Sequence, residues 1–222
     1  MRAEILRTNE TVLKKVRASE ELYEHVVENL GDYRSWLEEA GFKTPETWVS
    51  FAGGEIVFEQ KQVSTIPSTD VEGIISRLLI LSFDSFGLDS NPNNFLGSEL
   101  YFVDFFPFLT RNRAFLIQQF DYDPEIVIQR YFQIENILAF YSCRLFKTDF
   151  ELALRSIRAA REVLLDRFEG ILPREKIRLY AGIKLSEKGQ YDDYLQIYDR
   201  TRYSTYIEEQ YVLDLRKKIE EL

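Results

Sequence analysis

The sequence predicts an α+β protein of two parts, a strand-rich part over residues 1–62 and a largely helical part over residues 63–222. Before residue 62, short runs of alternating apolar and polar residues are separated by turn residues, which is typical of β-hairpins. From Asp123 onward, apolar residues recur at helical spacing. An apolar fraction of 45% can support a folded core.

The first part begins with a predicted hairpin, followed by a long helix. Two alternating runs, Glu4–Thr8 and Thr11–Arg17, flank Asn9-Glu10 at the turn. A helix is then expected from about Ser19 to Ala40, because Ser19 followed by two glutamates is a good N-terminal cap. Gly41 fits the C-terminal cap of this helix.

A second hairpin and a buried helix are predicted next. The runs Thr47–Phe51 and Glu55–Glu59 flank a turn that contains two glycines. A polar linker over residues 63–72 follows, in which Ser68 or Thr69 is the expected helix cap. The apolar residues from 74 to 83 then predict a buried helix.

The remainder of the chain is expected to be helical after an irregular, aromatic-rich segment from Pro107 to Asp123. The predicted helices span residues 124–146, 149–168, 173–186, 191–198 and 201–222.

The polar segment that begins at Asp89 carries the strongest functional signal. Asp89 and Asn94 lie five positions apart among turn-forming residues, and a short apolar hairpin over residues 95–105 then carries Asp104. Phosphoryl transfer needs one carboxylate to orient a hydroxyl, and an amide and a carboxylate to hold Mg²⁺. The spacing therefore favours phosphotransfer chemistry, whereas a polar loop that only caps a hairpin is the structural alternative.

These residues resemble the protein-kinase-like superfamily, in particular the aminoglycoside and choline phosphotransferases and the RIO-type atypical kinases. The loop carries Asp89, Pro92 and Asn94 in the order Asp-x-x-Pro-x-Asn, and Leu-Tyr-Phe-Val-Asp-Phe at 100–105 is similar to the metal-binding strand. The resemblance implies that Asp89 is the catalytic base and that Asn94 and Asp104 bind Mg²⁺.

The resemblance also implies a minimal bilobal fold, with a small N-terminal β-lobe that contains one helix and a mostly α-helical C-terminal lobe. In the small lobe, Lys14 takes the place of the nucleotide-binding lysine, in preference to its neighbour Lys15. Side chains on a strand alternate, so these two lysines should face opposite ways.

Three further positions complete the expected nucleotide site. Either Glu28 or Asp32 on the first long helix would hold the strand lysine. Glu59-Gln60-Lys61-Gln62 would form the hinge between the lobes, which brings Glu59 and Lys61 close to ATP. Hinge backbone groups would bind the adenine edge, by the same resemblance.

Two departures from the family pattern favour a degenerate member. No glycine precedes Gly31, so the glycine-rich phosphate lid is missing, and backbone N–H groups of such loops bind anions. Phe86-Gly87-Leu88 stands where the family has a histidine before the catalytic base.

Composition limits the classes of partner. The net charge of −9 argues against nucleic acid as the main partner and suits a cationic acceptor such as an amine or amino sugar. No apolar run reaches membrane-spanning length, and the charged N-terminus is unlike a signal peptide. The sole cysteine, Cys143, cannot form an internal disulfide, so a reducing, cytoplasmic location is expected.

The expected function is transfer of the ATP γ-phosphoryl group to a hydroxyl of a small molecule. A pseudokinase that binds nucleotide or a protein partner without turnover is one alternative. A helical interaction protein is the other.

Overall fold

The computed structural model describes residues 4–7, 10–105, 110–120 and 123–222, and within them every side chain except those of Arg7 and Gln118. The protein is α+β, as predicted. Asn9 and Pro107, expected at a turn and at the start of an irregular segment, lie outside the described residues. The elements are β1 (Glu4–Arg7), β2 (Thr11–Arg17), α1 (Glu20–Glu39), β3 (Thr47–Ala52), β4 (Glu55–Lys61), α2 (Val71–Leu78), β5 (Phe95–Leu96), β6 (Tyr101–Phe102), α3 (Arg113–Gln119), α4 (Pro124–Phe132), α5 (Ile134–Leu145), α6 (Phe150–Asp166), α7 (Pro173–Ser186), α8 (Tyr191–Arg200) and α9 (Glu209–Glu221).

The chain forms two compact units that are not divided at a single point of the sequence. Unit 1 comprises Met1–Ser68, Ile80–Gly87 and Asn93–Ile128, and unit 2 comprises Thr69–Leu79, Leu88–Pro92 and Gln129–Leu222. The sequence placed one boundary near residue 62, because the change from strand to helix pattern occurs there. The chain instead passes between the two units several times.

Unit 1 contains an antiparallel sheet of the two predicted hairpins, in the order β1-β2-β4-β3. The turn between β3 and β4 is tight, with positive φ at both Gly53 (61°) and Gly54 (78°), which is why this turn requires glycine. Strand β2 pairs with β4 along its whole length, from Thr11 opposite Lys61 to Arg17 opposite Glu55. The sheet therefore holds β2 at its centre, with a partner strand on each side.

Helix α1 follows β2 and begins and ends where the sequence predicted. The Ser19 hydroxyl accepts a hydrogen bond from the Leu22 N–H at 3.2 Å, and Gly41 adopts a φ of 88° just beyond the last turn. Its apolar stripe is buried at Leu22, Val26, Tyr33 and Leu37. The helix thus supplies the core of unit 1.

The third predicted hairpin, over residues 95–105, produces a shorter ladder than expected. Only β5 and β6 pair, with Phe95 opposite Phe102, and the ladder stops before Asp104. Backbone hydrogen bonds join Lys43 to this hairpin: its N–H donates to Leu100 O at 3.1 Å, and its C=O accepts from Phe102 N–H at 2.8 Å. Phe42 also packs on Phe95. These contacts place the hairpin in unit 1, although the sequence assigned it to the helical part.

Two helix predictions need correction. The buried helix expected over 74–83 is α2, which ends at Leu78, so Leu81 and Phe83 are buried in unit 1 outside any helix. Its cap is Asp70, whose Oδ1 accepts from Gly73 N–H at 3.0 Å, rather than Ser68 or Thr69. The segment expected to be irregular contains α3 in its described part.

Unit 2 consists mainly of helices, and the predicted helix starts agree with the structure for α4, which begins in unit 1, and for α6, α7 and α8. The last helix was expected to begin at residue 201, but Thr201–Tyr203 forms only a short 3-10 turn and α9 begins at Glu209. Asp149 caps α6, and proline opens both α4 and α7. The helix expected over 124–146 is interrupted at Gln133, whose backbone is extended (φ −113°, ψ 120°). Helix α5 is buried on nearly every side, so an apolar pattern cannot reveal where it begins.

A buried network of charged side chains joins α7 to the residues after it in unit 2. Glu175, which is fully buried, accepts hydrogen bonds from Arg178 Nη1 at 2.9 Å and from Arg174 Nε at 3.0 Å. Arg178 also donates to the Tyr198 carbonyl at 2.9 Å and to Thr201 Oγ1 at 3.1 Å. Because its charges are paired and hydrogen-bonded, this network is compatible with a stable interior.

Candidate functional site

A cavity of about 380 Å³ lies within unit 1, between the sheet, the segment after β4 and the β5–β6 hairpin. This size falls in the range of small-molecule sites. The residues that line the cavity are Ile5, Val12, Lys14, Pro45, Gln60, Lys61, Gln62, Val63, Ser64, Thr65, Pro67, Asn93, Asn94, Leu96, Val103 and Asp104. Three of the sequence-predicted site residues, Lys14, Asn94 and Asp104, thus face one cavity, and Lys61 lines it as well.

The alternation of strand β2 brings Lys14 to this cavity. Val12 and Lys14, two residues apart on the strand, both line it. Lys15 is absent from the lining, and its Nζ lies 4.0 Å from Glu4 Oε2 in a partly exposed pair. The geometry therefore agrees with the choice of Lys14 over Lys15.

Lys14 and Asp104 form an ion pair although they are 90 residues apart in the sequence. Their side chains are only 18% and 16% exposed, so water screens this pair less than it would a surface pair. The Asn94 amide Nδ2 donates to the other carboxylate oxygen of Asp104 at 3.3 Å. The cavity therefore contains a cation, a carboxylate and an amide in direct contact.

The hairpin explains why Asn94 and Asp104 meet. Asn94 immediately precedes β5, and Asp104 follows β6 by two residues. The Asn94 carbonyl accepts a hydrogen bond from Val103 N–H at 3.0 Å, which closes the open end of the hairpin. The two side chains are thereby fixed next to each other by local pairing.

Asp89 belongs to unit 2, where backbone and side-chain contacts hold it on both sides. Leu88 N–H donates to the Tyr131 carbonyl at 3.0 Å, and the Ser90 hydroxyl donates to the Ile137 carbonyl at 2.7 Å. Asp89 itself accepts from Asn91 N–H at 3.2 Å, which is the side-chain turn expected of such a loop. The loop is therefore well anchored, and the role of Asp89 as a base remains a prediction.

Asp89 also lies in the electrostatic field of Arg130. Burial lowers the pKa of the Arg130 guanidinium, but Tyr131, Glu175 and Asp89 together raise it above its usual value. Arg130 accordingly stays charged next to the loop.

The two acidic candidates on α1 do not reach the cavity. Glu28 and Asp32 are exposed and absent from its lining. The carboxylate that meets Lys14 in this structure is Asp104, on the hairpin. Periodicity could not identify this partner, because acidic residues on a helix surface all look alike in sequence.

The expected hinge residues form the end of β4 and the residue after it. Lys61 lines the cavity, with its Nζ 3.7 Å from Glu46 Oε2. Glu59 is exposed and lies outside the lining. Ser64, which carries no recognisable motif, also lines the cavity, as does Gln62, which the sequence indicated only as part of the expected hinge.

The donor set at Asn94 and Asp104 consists of hard oxygen ligands. Among the described residues, no group of three or more His, Cys, Asp or Glu side chains is arranged to hold a metal ion. Mg²⁺ does not require such a group, since it usually keeps several waters and is bound through one or two carboxylates together with substrate phosphates. One carboxylate and one amide oxygen therefore fit Mg²⁺ better than a metal that needs an all-protein cage.

No helix within the described ranges combines the length and the apolar character needed to cross a membrane. Comparison of the chain with protein-family models, with curated proteins and with solved structures gave no match.

Proposed function

We propose that this protein is a kinase-like phosphotransferase that binds Mg²⁺ and ATP in the cavity of unit 1. The observation that carries the proposal is the contact of Lys14, Asn94 and Asp104 within that cavity. A cation for phosphate and two oxygen ligands for Mg²⁺ are the parts that phosphoryl transfer requires on the nucleotide side. Their meeting supports a joint role, since β2 and the hairpin are far apart in sequence.

The order of elements also supports the proposal. The resemblance to kinases implies a hairpin that ends in a lysine strand, then a helix, a second hairpin, a hinge and a metal-binding hairpin. The chain has β1–β2, α1, β3–β4 with the expected hinge residues 59–62 at its end, then α2 and β5–β6, in that order. Lys14 lies at the middle of β2, and the metal candidates flank β5–β6.

Each side chain has a defined task in this proposal. Lys14 exchanges its contact with Asp104 for a phosphate oxygen of the nucleotide. Asp104, released from Lys14, and the amide oxygen of Asn94, once this amide turns so that Oδ1 rather than Nδ2 faces Asp104, would hold Mg²⁺, which would neutralise charge on the phosphate oxygens. Asp89 accepts the proton of the acceptor hydroxyl, and the net charge of −9 suits an acceptor that is small and cationic.

A pseudokinase is the second candidate, and a specific observation favours it. Phe86-Gly87-Leu88 stands where the resemblance implies a histidine before the catalytic base, so a group that supports the catalytic loop in the family is replaced. Such a protein would bind nucleotide through the same cavity without turnover.

Nucleotide binding and turnover can be separated with three variants. We expect Mg²⁺ and ATP together to raise the melting temperature of the wild type more than ATP with EDTA. Asp104→Asn should remove most of this Mg²⁺-dependent rise, and Asp84→Asn, an exposed aspartate of unit 1, is the matched control. Asp89→Asn should keep the rise but lose phosphoryl transfer to an amino-sugar or amine panel.

The outcomes distinguish the candidates. A thermal response without transfer by the wild type supports the pseudokinase. The absence of any response to Mg²⁺ and ATP contradicts both and leaves the helical interaction protein.

A further inference from the structure

One polar atom next to the cavity is not accounted for by the phosphate and metal roles. Gln62 lines the cavity, and its side-chain oxygen Oε1 is buried and has no hydrogen-bond partner among the described residues. Burying an acceptor without a donor is costly, and such groups in folded proteins usually have a reason. A ligand that offers a hydrogen-bond donor at this end of the cavity would remove the cost.

The backbone donors beside it are already in use. Lys61 N–H donates to the Glu46 carbonyl at 2.9 Å, and Gln62 N–H donates to the Glu10 carbonyl at 2.8 Å. These two groups belong to the segment expected to bind adenine through its backbone. Neither N–H is therefore available to a ligand at this position, whereas the Gln62 side chain carries an acceptor without a partner among the described residues.

The surrounding walls suit a flat aromatic ring. The sheet contributes Ile5 and Val12 to the lining, and the hairpin contributes Leu96 and Val103. Apolar walls with a few placed polar groups are typical of small-molecule sites. The charged side chains of the lining are Lys14, Asp104 and Lys61, of which Lys14 and Asp104 suit phosphate and metal, and Lys61 lies 3.7 Å from Glu46 Oε2.

We propose that the Gln62 carboxamide reads the edge of the nucleobase. Its Oε1 accepts a hydrogen bond from an exocyclic amino group, and its Nε2 donates to the unprotonated ring nitrogen beside it. Adenine presents this pair, and a bidentate contact between a carboxamide and adenine is a well-matched one. The inference rests on the proposed nucleotide site and assigns its base specificity to a side chain.

A first experiment removes the amino group from the ligand and the carboxamide from the protein. Dissociation constants are measured by calorimetry for Mg²⁺ complexes of ATP and of purine riboside triphosphate, which lacks the 6-amino group. The wild type should bind ATP about tenfold more tightly than the analogue. Gln62→Leu should bind both nucleotides more weakly and no longer distinguish them, with the larger loss for ATP, because both ligands lose the hydrogen bond to the ring nitrogen and only ATP also loses the one from its amino group.

A second variant reverses the hydrogen-bonding pattern. In Gln62→Glu the carboxylate only accepts hydrogen bonds, so it faces the ring nitrogen of adenine unfavourably and suits the two adjacent donors of guanine. We expect the ratio of GTP to ATP affinity to rise about tenfold or more relative to the wild type. Gln190→Leu, an exposed glutamine in unit 2, is the control that should change neither ratio.

The melting temperature of each variant without nucleotide shows whether a loss of affinity comes from a loss of folding. Gln62→Leu removes the unpaired acceptor, so its melting temperature without nucleotide should not fall while its ATP affinity does. If the wild type binds ATP but Gln62→Leu and Gln62→Glu keep its base preference, the inference is overturned and the proposed function stands. If the wild type binds none of these nucleotides, both are overturned.

Discussion

At the scale of single residues, strand alternation decides which of two adjacent lysines lines the cavity. Lys14 and Lys15 have the same chemistry, but only Lys14 lines the cavity. The partner of Lys14 is Asp104, a residue that the sequence singled out for metal binding. In this structure Asp104 is paired with Lys14. Binding of phosphate by Lys14 and of Mg²⁺ by Asp104 would require this ion pair to separate.

Replacement of each lysine by alanine tests this distinction. Lys14→Ala should cost about 1–2 kcal/mol of stability, because it leaves a partly buried carboxylate without its cation, and should weaken Mg-ATP binding at least about tenfold. Lys15→Ala should change the stability by less than about 0.5 kcal/mol and leave nucleotide binding unchanged. Chemical denaturation and calorimetry measure the two effects, and equal losses of affinity in both variants would refute the assignment.

At the scale of elements, short-range signals predicted starts and turns better than ends. The Ser19 cap, the glycine pair at 53–54 and the proline at 173 each act on their immediate neighbours, and each lies where the sequence put it. Helix α2 differs, because its cap is Asp70 rather than Ser68 or Thr69, and because it ends at Leu78 rather than near residue 83. Ser, Thr and Asp all cap helices well, so the sequence around Ser68, Thr69 and Asp70 offers three similar choices.

The cap of α2 can be tested with a matched pair. Asp70→Ala should destabilise the protein by about 1 kcal/mol, because Gly73 N–H loses its acceptor at the first turn. Thr69→Ala, at the neighbouring exposed position, should stay within about 0.5 kcal/mol of the wild type. Urea unfolding with a common slope gives both values. A larger loss of stability for Thr69→Ala than for Asp70→Ala would show that Thr69, one of the two residues predicted from sequence, is the cap.

At the scale of the whole molecule, the division into two units separates the proposed roles. Lys14, Asn94 and Asp104 belong to unit 1, and Asp89 belongs to unit 2. The nucleotide-binding part of the proposal therefore depends on unit 1, and the transfer step depends additionally on a loop of unit 2. This is why binding and turnover are tested with different variants.

Hydrogen exchange measured by mass spectrometry tests this division directly. Addition of Mg-ATP should slow amide exchange most in β2, in β4 and in the β5–β6 hairpin, because these elements line the cavity. ATP with EDTA should give less protection at the hairpin, where the metal candidates lie. Protection limited to α6–α9 would be inconsistent with a nucleotide site in unit 1.

By itself, the sequence determined the α+β class, both hairpins of the sheet, the extent of α1 and the starts of most later helices. It also singled out Lys14, Asn94 and Asp104. These features follow from neighbours in the chain: alternation on a strand, a capping hydroxyl, or a glycine that permits positive φ.

Only the tertiary structure decided that Asp104, rather than Glu28 or Asp32, meets Lys14, that the β5–β6 hairpin belongs with the sheet, and that α4 and α5 are separate helices. It also showed that the side-chain oxygen of Gln62 is buried without a hydrogen-bond partner among the described residues. Each of these depends on which residues are brought together from distant parts of the chain. Burial and pairing are properties of that packing, and local periodicity does not encode them.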